Sequence, residues 1–302
     1  MTRNSPLWGI DLGGTKVEGV IMDPQNPSVP IHRLRRDTGS SQGYDHILSQ
    51  IVGVIRDLET ASGLSRPSSI GIGTPGIVDP LTGSLKNSNT VCLNGRPLRD
   101  DLATALKCSF VMANDANCFA LAEAICGAGQ NEEVVLGLIL GTGVGSGIVI
   151  NGKILNGHHG IAGEWGHNPL CGESRLCYCG RKGCVETVIA GPSLERFYQE
   201  NGGDKVRLPE IVTRALAGEL RAIQTMELLR GKFAEAIAAV INILDPDVIV
   251  IGGGVGNVSL LYEYATREAI LRHLFNSEIT TGIVRPQLGD SAGVFGAALL
   301  TA

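Results

Sequence analysis

The sequence has no long apolar run. Its longest apolar stretches are short and interrupted by Gly or Asp, well below the roughly 20 residues that a membrane-spanning helix needs. The segment Met1 to Trp8 has no long apolar stretch after a basic start, so no signal peptide is predicted. We therefore expect a soluble, cytoplasmic protein with no membrane partner.

Basic residues are not in excess either. Lys and Arg total 25 against 30 Asp and Glu, a formal net charge of -5, which argues against a nucleic-acid partner. Hydrophobic residues make up 43% of the 302 positions and charged residues only 18%. The chain can therefore bury substantial cores and fits two domains of ordinary size.

Two common phosphate-binding signatures are absent. No stretch reads G-x-x-x-x-G-K-S/T, which excludes a Walker A protein. The segment Gly141-Thr142-Gly143-Val144-Gly145-Ser146-Gly147 looks like a dinucleotide fingerprint, but Ile148-Val149-Ile150 after it is β-like where a helix is required. Since no signal peptide is predicted, the eight cysteines indicate thiols or metal ligands rather than disulfides.

Glycine, by contrast, is abundant, with 41 residues, about twice the ordinary share. Three clusters directly follow apolar strand candidates: Gly13-Gly14-Thr15, Gly141-Thr142-Gly143 and Gly252-Gly253-Gly254. Glycine lets backbone N–H groups approach anionic phosphates, and α/β sheets place ligand crevices at strand ends. Any one cluster could be a plain tight turn, but together they predict phosphate binding.

A strand, a glycine-rich turn and a second strand occur twice. Leu7–Leu12 and Val17–Met22 form the first predicted hairpin, and Val134–Leu140 and Gly145–Ile150 form the second. This repetition predicts two related α/β domains with a boundary near the helix after Asp115. The other predicted elements are helices over 44–64, 116–124, part of 222–244 and 292–300, and strands over 70–78, 109–112 and 248–251.

Asn114 and Asp115 stand between a strand candidate and a helix candidate. Both are common N-cap residues, so Asp115 could be an ordinary cap, and the helix dipole is expected to keep it ionised. An ionised carboxylate at a strand end also suits the base that orients an attacking hydroxyl in phosphoryl transfer.

One His and three Cys fall within eighteen residues: His167, Cys177, Cys179 and Cys184. Three thiolates and one imidazole complete a tetrahedral Zn²⁺ site with no open position, which predicts a structural ion. Cys171 is a possible competing ligand.

The motifs together resemble those of the ROK family (repressors, open reading frames and kinases). The segment Gly9-Ile10-Asp11-Leu12-Gly13-Gly14-Thr15-Lys16 is similar to the first phosphate motif of the sugar-kinase, heat-shock-protein and actin superfamily, in the form D-I/L-G-G-T-K/N typical of ROK proteins. Gly166-His167 and the run from Cys177 to Glu186 resemble the ROK signature, G-H followed by C-x-C-G-x-x-G-C-x-E. The resemblance covers nearly the whole chain, from Gly9 to 289–293.

The resemblance implies two ribonuclease-H-like (actin-like ATPase) α/β domains with a nucleotide cleft between them. We expect a small N-terminal domain over 1–118, closed by the C-terminal helix 292–302. A larger domain over 119–291 is expected to carry the zinc loop. A homodimer is expected because ROK proteins commonly pair.

The same resemblance implies an ATP and Mg²⁺ site. Asp11 is expected to hold Mg²⁺, and Thr15 and Lys16 to lie near the β- and γ-phosphates. The glycine-rich turn of Gly141, Thr142, Gly143, Val144 and Gly145 is expected to close on the phosphates. Gly252, Gly253 and Gly254 match the segment beside the adenosine.

A sugar site is implied as well. Asp115 matches the catalytic base and Asn114 a sugar ligand, while His167 is expected to bind zinc through one nitrogen and a sugar hydroxyl through the other. Glu164 and Glu186 match hydroxyl acceptors, and Asn89 and Gly76 match pocket-lining positions.

Three functions remain open from the sequence. The segments Gly163–Leu170 and Leu93-Asn94-Gly95 look most like bacterial fructokinases and mannokinases, so the first is a hexose kinase of fructose, mannose or glucose type, acting on the 6-hydroxyl. The second is an N-acetylhexosamine kinase, which shares every motif. The third, a sugar-binding repressor, is disfavoured because only eight residues precede Gly9 and both Asp11 and Asp115 are present.

Overall fold

The computed structural model describes residues 5–302, so part of the segment analysed for a signal peptide lies outside the described residues. The first predicted hairpin is confirmed: β1 (Leu7–Leu12) and β2 (Lys16–Asp23) pair antiparallel. The hairpin continues into β3 (Asn26–Asp37), which was not predicted, and α1 (Tyr44–Ser62) follows. The apolar stripe of α1 is fully buried, and Gly63, at φ 68°, ends the helix by donating its N–H to Glu59.

The predicted strand over 70–78 is wrong in its extent. It is divided into β4 (Ser69–Thr74) and the short β5 (Ile77–Val78), which pairs with β6 (Leu85–Lys86). The division falls at Pro75-Gly76, where Gly76 adopts φ 110°, a conformation outside the extended region. Next come α2 (Leu98–Leu106), β7 (Ser109–Asn114) and α3 (Asp115–Cys126).

The second hairpin is also present, formed by β8 (Val134–Leu140) and β9 (Val144–Ile150), followed by β10 (Lys153–Ile154). After an irregular stretch the chain is helical: α4 (Glu186–Ile189), α5 (Gly191–Glu200), α6 (Leu208–Leu216) and α7 (Leu220–Leu244). The remaining elements are β11 (Val248–Gly252), α8 (Gly253–Gly256), α9 (Tyr264–Leu271), β12 (Gly282–Val284) and α10 (Ala292–Leu299).

The main strands form two five-stranded sheets. One has the order β3-β2-β1-β4-β7, with β1 parallel to β4 and β4 parallel to β7. The other has the order β10-β9-β8-β11-β12, with β11 parallel to both β8 and β12. The carboxyl ends of the parallel strands therefore deliver the glycine turns and Asp115 to sheet edges.

Contacts within the chain divide it into two compact units. The first contains the residues up to Asn131 together with Gly147–Ala162 and Gln287–Ala302, and the second contains Glu132–Ser146 and Gly163–Pro286. The predicted domain limits, 1–118 with 292–302 and 119–291, stay predictions.

Glycines allow close packing in the first unit. A Cβ on Gly71 of β4 would overlap the carbonyl oxygen of Ala297, and one on Gly296 would overlap that of Cys118. Helix α10 can therefore lie directly on the sheet and against α3. Among residues 5–302, no helix is both long and apolar enough to cross a membrane.

Candidate active site

The predicted site residues fall into two groups, one in each unit. In the first unit, the turn between β1 and β2 is closed by a hydrogen bond from Gly13 N to Lys16 O (2.9 Å). Thr38 fixes the turn from outside, since its hydroxyl donates to Gly13 O (2.7 Å) and its N–H to Thr15 O (2.9 Å). Gly14 and Thr15 are exposed, so their backbone N–H groups are open to an anionic ligand.

Asp11 lies near the end of β1 and has an unusual environment. Burial, followed by the carboxylates of Asp115 and Glu18, raises its pKa to about 6 against the opposing effect of Lys16 and Arg35. Gly293 of α10 stands against it, because a Cβ there would lie 3.1 Å from Asp11 Oδ2. A divalent cation would relieve the repulsion between these carboxylates, so the residues fit the predicted Mg²⁺ site.

The end of β7 and the start of α3 carry Asn114 and Asp115. Asn114, not Asp115, is the N-cap, since its Oδ1 accepts from Asn117 N (2.9 Å). Asp115 Oδ1 accepts from Ala116 N (2.8 Å) and from Asn114 Nδ2 (3.1 Å). Asp115 is open to water, yet the protein atoms around it reduce its solvation and raise its pKa above the usual value despite these donors. The expectation that the helix dipole keeps Asp115 ionised stays a prediction, and burial acts on its pKa in the opposite direction.

Sequence reasoning missed the charged cluster beside Asp11. Glu18, directly opposite Asp11 in the β1–β2 ladder, is fully buried and forms ion pairs with Lys16, Arg33 and Arg35. Burial tends to raise the pKa of Glu18, but hydrogen bonds from the two arginines outweigh it and hold the pKa below its usual value. The alternating Arg33 and Arg35 of β3 were the available signal, but β3 itself was not predicted.

The two predicted pocket-lining residues of the first unit lie near each other. A Cβ on Gly76 would lie 2.9 Å from the Cα of Ser88, the neighbour of Asn89. Asn94 fixes this loop by accepting from Ser88 N (2.8 Å) and donating to Ser88 O (3.0 Å). Asn89 is consequently an exposed side chain on a fixed loop.

In the second unit, Glu186 is anchored to the second glycine turn. Its Oε2 accepts from Val144 N (3.0 Å), and a Cβ on Gly143 would lie only 2.6 Å from the same oxygen. Gly141 N donates to Gly143 O (2.9 Å), and Gly191 N donates to Gly141 O (2.8 Å). The predicted sugar ligand Glu186 and the predicted phosphate turn 141–145 are therefore joined by hydrogen bonds.

The third glycine cluster begins α8 directly after β11. Gly253 has φ 83°, and a Cβ there would overlap the backbone of Leu140. Gly253 and Gly254 are exposed, and no atom lies within 4 Å of a Cβ built on Gly254. Gly253 thus allows the tight turn against Leu140, and Gly254 leaves open space next to the backbone, which fits a ligand-facing segment.

The four predicted metal ligands come together. The ligand atoms of His167, Cys177, Cys179 and Cys184 all lie within 4.8 Å of one another. Cys177 Sγ is 3.6 Å from His167 Nδ1, and Cys179 Sγ is 3.6 Å from Cys184 Sγ. A tetrahedral ion with Zn–S bonds of about 2.3 Å separates its ligand atoms by about 3.8 Å, so this set fits zinc. Cys171 is exposed and lies outside the group, and its N–H donates to Glu235 Oε1 (3.0 Å).

The other nitrogen of His167 faces the predicted sugar ligands. Its Nε2 lies 4.0 Å from Glu164 Oε2 and 3.1 Å from the hydroxyl of Tyr178, a residue that sequence reasoning did not select. Partial desolvation of the hydroxyl and the carboxylates of Glu186 and Glu164 raise the pKa of Tyr178 to about 12, although most of the side chain is exposed. Tyr178, Glu186 and Thr142 also line a cavity of about 150 Å³.

This chain has clear relatives among known protein families, curated proteins and solved structures. A family model described as "ROK family" matches residues 7–302. An N-acetyl-D-glucosamine kinase of Photobacterium profundum is 35% identical, covering 97% of this chain and 98% of the relative. One of Vibrio cholerae serotype O1 has the same identity and coverage. Among solved structures, the ROK hexokinase from Thermus thermophilus is 32% identical with a TM-score of 0.87, covering 98% of this chain and 97% of that chain.

The fold and these relatives define a sugar kinase, a phosphotransferase with an alcohol acceptor. The chain belongs to the ROK family. The predicted family and the predicted α/β fold of the actin-like ATPase type are confirmed.

Proposed function

We propose that the chain transfers the γ-phosphate of Mg-ATP to the 6-hydroxyl of N-acetyl-D-glucosamine. The observation that carries this choice of sugar is the identity of 35% over nearly the full length of relatives named as N-acetyl-D-glucosamine kinases. The fructose, mannose or glucose type expected from Gly163–Leu170 is the second candidate, supported by the 32% identity to a ROK hexokinase.

Asp115 is proposed as the base. Phosphoryl transfer needs a group that orients the hydroxyl and accepts its proton late in the reaction. The Asp115 carboxylate is accessible, Asn114 Nδ2 and Ala116 N orient it through Oδ1, and its raised pKa makes it a better proton acceptor than an ordinary carboxylate.

The nucleotide is proposed to use the glycine turns. Bound Mg²⁺ neutralises phosphate charge, and Asp11 is the residue that would hold it, with Thr15 and Lys16 next to the phosphates. The turn 141–145 contributes backbone N–H groups, and Gly252, Gly253 and Gly254 flank the adenosine.

The sugar is proposed to bind through directional acceptors and a metal-fixed imidazole. Glu164, Glu186 and His167 contact its hydroxyls, as do Asn114 and Asn89, with Gly76 lining the pocket. Zinc on His167 Nδ1 and the three thiolates would cross-link the loop that carries these ligands, a structural role. A cytoplasmic homodimer remains part of the proposal.

The first experiment measures ADP release from Mg-ATP with N-acetylglucosamine, glucose, mannose and fructose, each alone. We expect kcat/KM to be highest for N-acetylglucosamine. The matched variant Asp115→Asn is expected to lose several orders of magnitude in kcat while sugar binding, followed by calorimetry, stays measurable.

A higher kcat/KM for one of the other three sugars would replace the proposed substrate but keep the kinase. Near-normal turnover by Asp115→Asn would remove Asp115 from the role of base.

A further inference from the structure

Tyr178 occupies an unexpected position in the zinc loop. Its hydroxyl lies 3.1 Å from His167 Nε2, and the two rings are edge to face, with centroids 5.2 Å apart and planes at 84°. The residue is nevertheless 76% exposed, so burial in a core contributes little to its position. The contact with His167 is the specific interaction that places the hydroxyl.

The direction of this hydrogen bond follows from the other ring nitrogen. His167 Nδ1 faces the sulfur cluster, with Cys177 Sγ at 3.6 Å, and is the nitrogen that would ligate zinc. A neutral imidazole bound to metal through Nδ1 carries its proton on Nε2, which must then donate. The Tyr178 oxygen accepts the hydrogen bond from this N–H, and its own O–H is left to donate to another group.

The surroundings of the hydroxyl determine what that group can be. Glu164 approaches the same His167 nitrogen, at 4.0 Å, and Glu186 lines the cavity of about 150 Å³ beside Tyr178. Carboxylates only accept hydrogen bonds, and without a sugar the N–H of His167 Nε2 is donated to Tyr178. Among these four side chains, the donors are therefore His167 Nε2–H and the Tyr178 hydroxyl, and Tyr178 supplies the second donor to an oxygen of a ligand.

We propose that Tyr178 is a further sugar-binding residue, whose hydroxyl donates a hydrogen bond to an oxygen of the bound hexose. This inference rests on the proposed function, because it assumes that Glu164, His167 and Glu186 bind sugar hydroxyls. It adds a second donor, beside His167, to the two carboxylate acceptors. The site can then bind a sugar oxygen that accepts a hydrogen bond, which a carboxylate cannot do.

The test is Tyr178→Phe in zinc-replete enzyme, with the sugar that the wild type uses best. Loss of one hydrogen bond between neutral groups is expected to raise KM for the sugar roughly 5- to 10-fold. The values of kcat and of KM for Mg-ATP should stay within about 2-fold, and zinc content should be unchanged. Tyr264→Phe is the control, because Tyr264 is 75% exposed on α9 of the same unit.

Deoxy analogues of the sugar supply a readout that a purely structural role would not give. One analogue, lacking the oxygen that Tyr178 contacts, should have the same KM with wild type and Tyr178→Phe, while the others keep the difference. The proposal is overturned if KM for the parent sugar changes less than 2-fold, or if every analogue keeps the full difference. Failure of the wild type to phosphorylate any hexose would instead reject the proposed function.

Discussion

The pKa of Asp11 depends on its environment in the folded protein rather than on its neighbours in the motif. Its immediate neighbours in the motif are glycine and apolar residues, which do not change its charge balance. In the folded protein, burial and the carboxylates of Asp115 and Glu18 raise its pKa to about 6. Asp11, the proposed cation ligand, is therefore close to its titration midpoint at mildly acidic pH.

Activity is accordingly expected to fall at low pH through Asp11. Below pH 6 most Asp11 is protonated in the metal-free protein, so kcat/KM for Mg-ATP should decrease about tenfold per pH unit. The stability of the fold changes in the opposite direction, because the folded state holds this proton more tightly than the unfolded state. The stabilisation by protonated Asp11 is full below pH 3.8 and is lost as the pH rises to about 6. The measurement is a pH profile of kcat/KM at limiting Mg-ATP.

Saturating Mg²⁺ is the control for this profile, because the bound cation favours the ionised carboxylate and should shift the acidic limb to lower pH. A limb that is independent of Mg²⁺ concentration would contradict the assignment to Asp11.

At the scale of elements, the zinc loop differs from the rest of the fold. Between the short helical turn at Trp165–His167 and α4 it contains only two isolated β-bridges, Pro169↔Cys184 and Leu176↔Lys182, among the described residues. Gly180 and Gly183 adopt φ 85° and φ 74°, which lets the chain fold back on itself. With so little regular structure, the loop is expected to depend for its order on the zinc ion proposed at His167, Cys177, Cys179 and Cys184.

Cys179→Ser is therefore expected to lose bound zinc and to weaken sugar binding together, raising KM for the sugar by at least about tenfold. Three remaining ligands leave an incomplete tetrahedron, and His167, which would bind both zinc and sugar, loses its fixed orientation. Zinc content by atomic absorption and sugar KM are measured on the same sample.

Cys171→Ser is the matched control, since Cys171 is exposed and outside the cluster. Full activity of a zinc-free Cys179→Ser protein would refute the role of the metal.

The predictable elements are those with a local signal. The hairpins of β1–β2 and β8–β9 were found because a glycine turn separates two apolar runs, and α1 because its stripe has helical periodicity. Strand β3 was missed because most of its residues are polar and none is buried, which leaves no apolar alternation to detect. Its Arg33 and Arg35 lie in a strand that pairs antiparallel with β2, and both also form ion pairs with the buried Glu18 of β2.

At the scale of the whole molecule, Glu123 connects segments that are far apart in the chain. This carboxylate is fully buried in α3 and accepts from Ala128 N (2.8 Å), Gln287 N (3.1 Å) and Leu288 N (3.0 Å). It thereby joins the end of α3 to the segment through which the chain returns to the first unit before α10. Three backbone N–H groups that no helix or strand pairs are thus hydrogen-bonded to one carboxylate.

Glu123→Gln is expected to lower the free energy of unfolding by about 2 kcal/mol, because an amide offers one acceptor oxygen where a carboxylate offers two. Urea unfolding followed by fluorescence measures the change, with Glu268→Gln on the exposed surface of α9 as the control. A change below about 0.5 kcal/mol would show that water or relaxation replaces the lost contacts.

The amino-acid sequence by itself determined the family and the glycine turns, and it identified the candidate metal ligands and the candidate base Asp115, because each is a short motif whose chemistry depends on neighbouring residues. Only the tertiary structure decided which residue caps α3, how Asp11 titrates, which cations surround Glu18 and which group faces His167 Nε2. These properties arise from charges and hydrogen bonds between side chains that the fold brings together from separate elements, and no local pattern contains them.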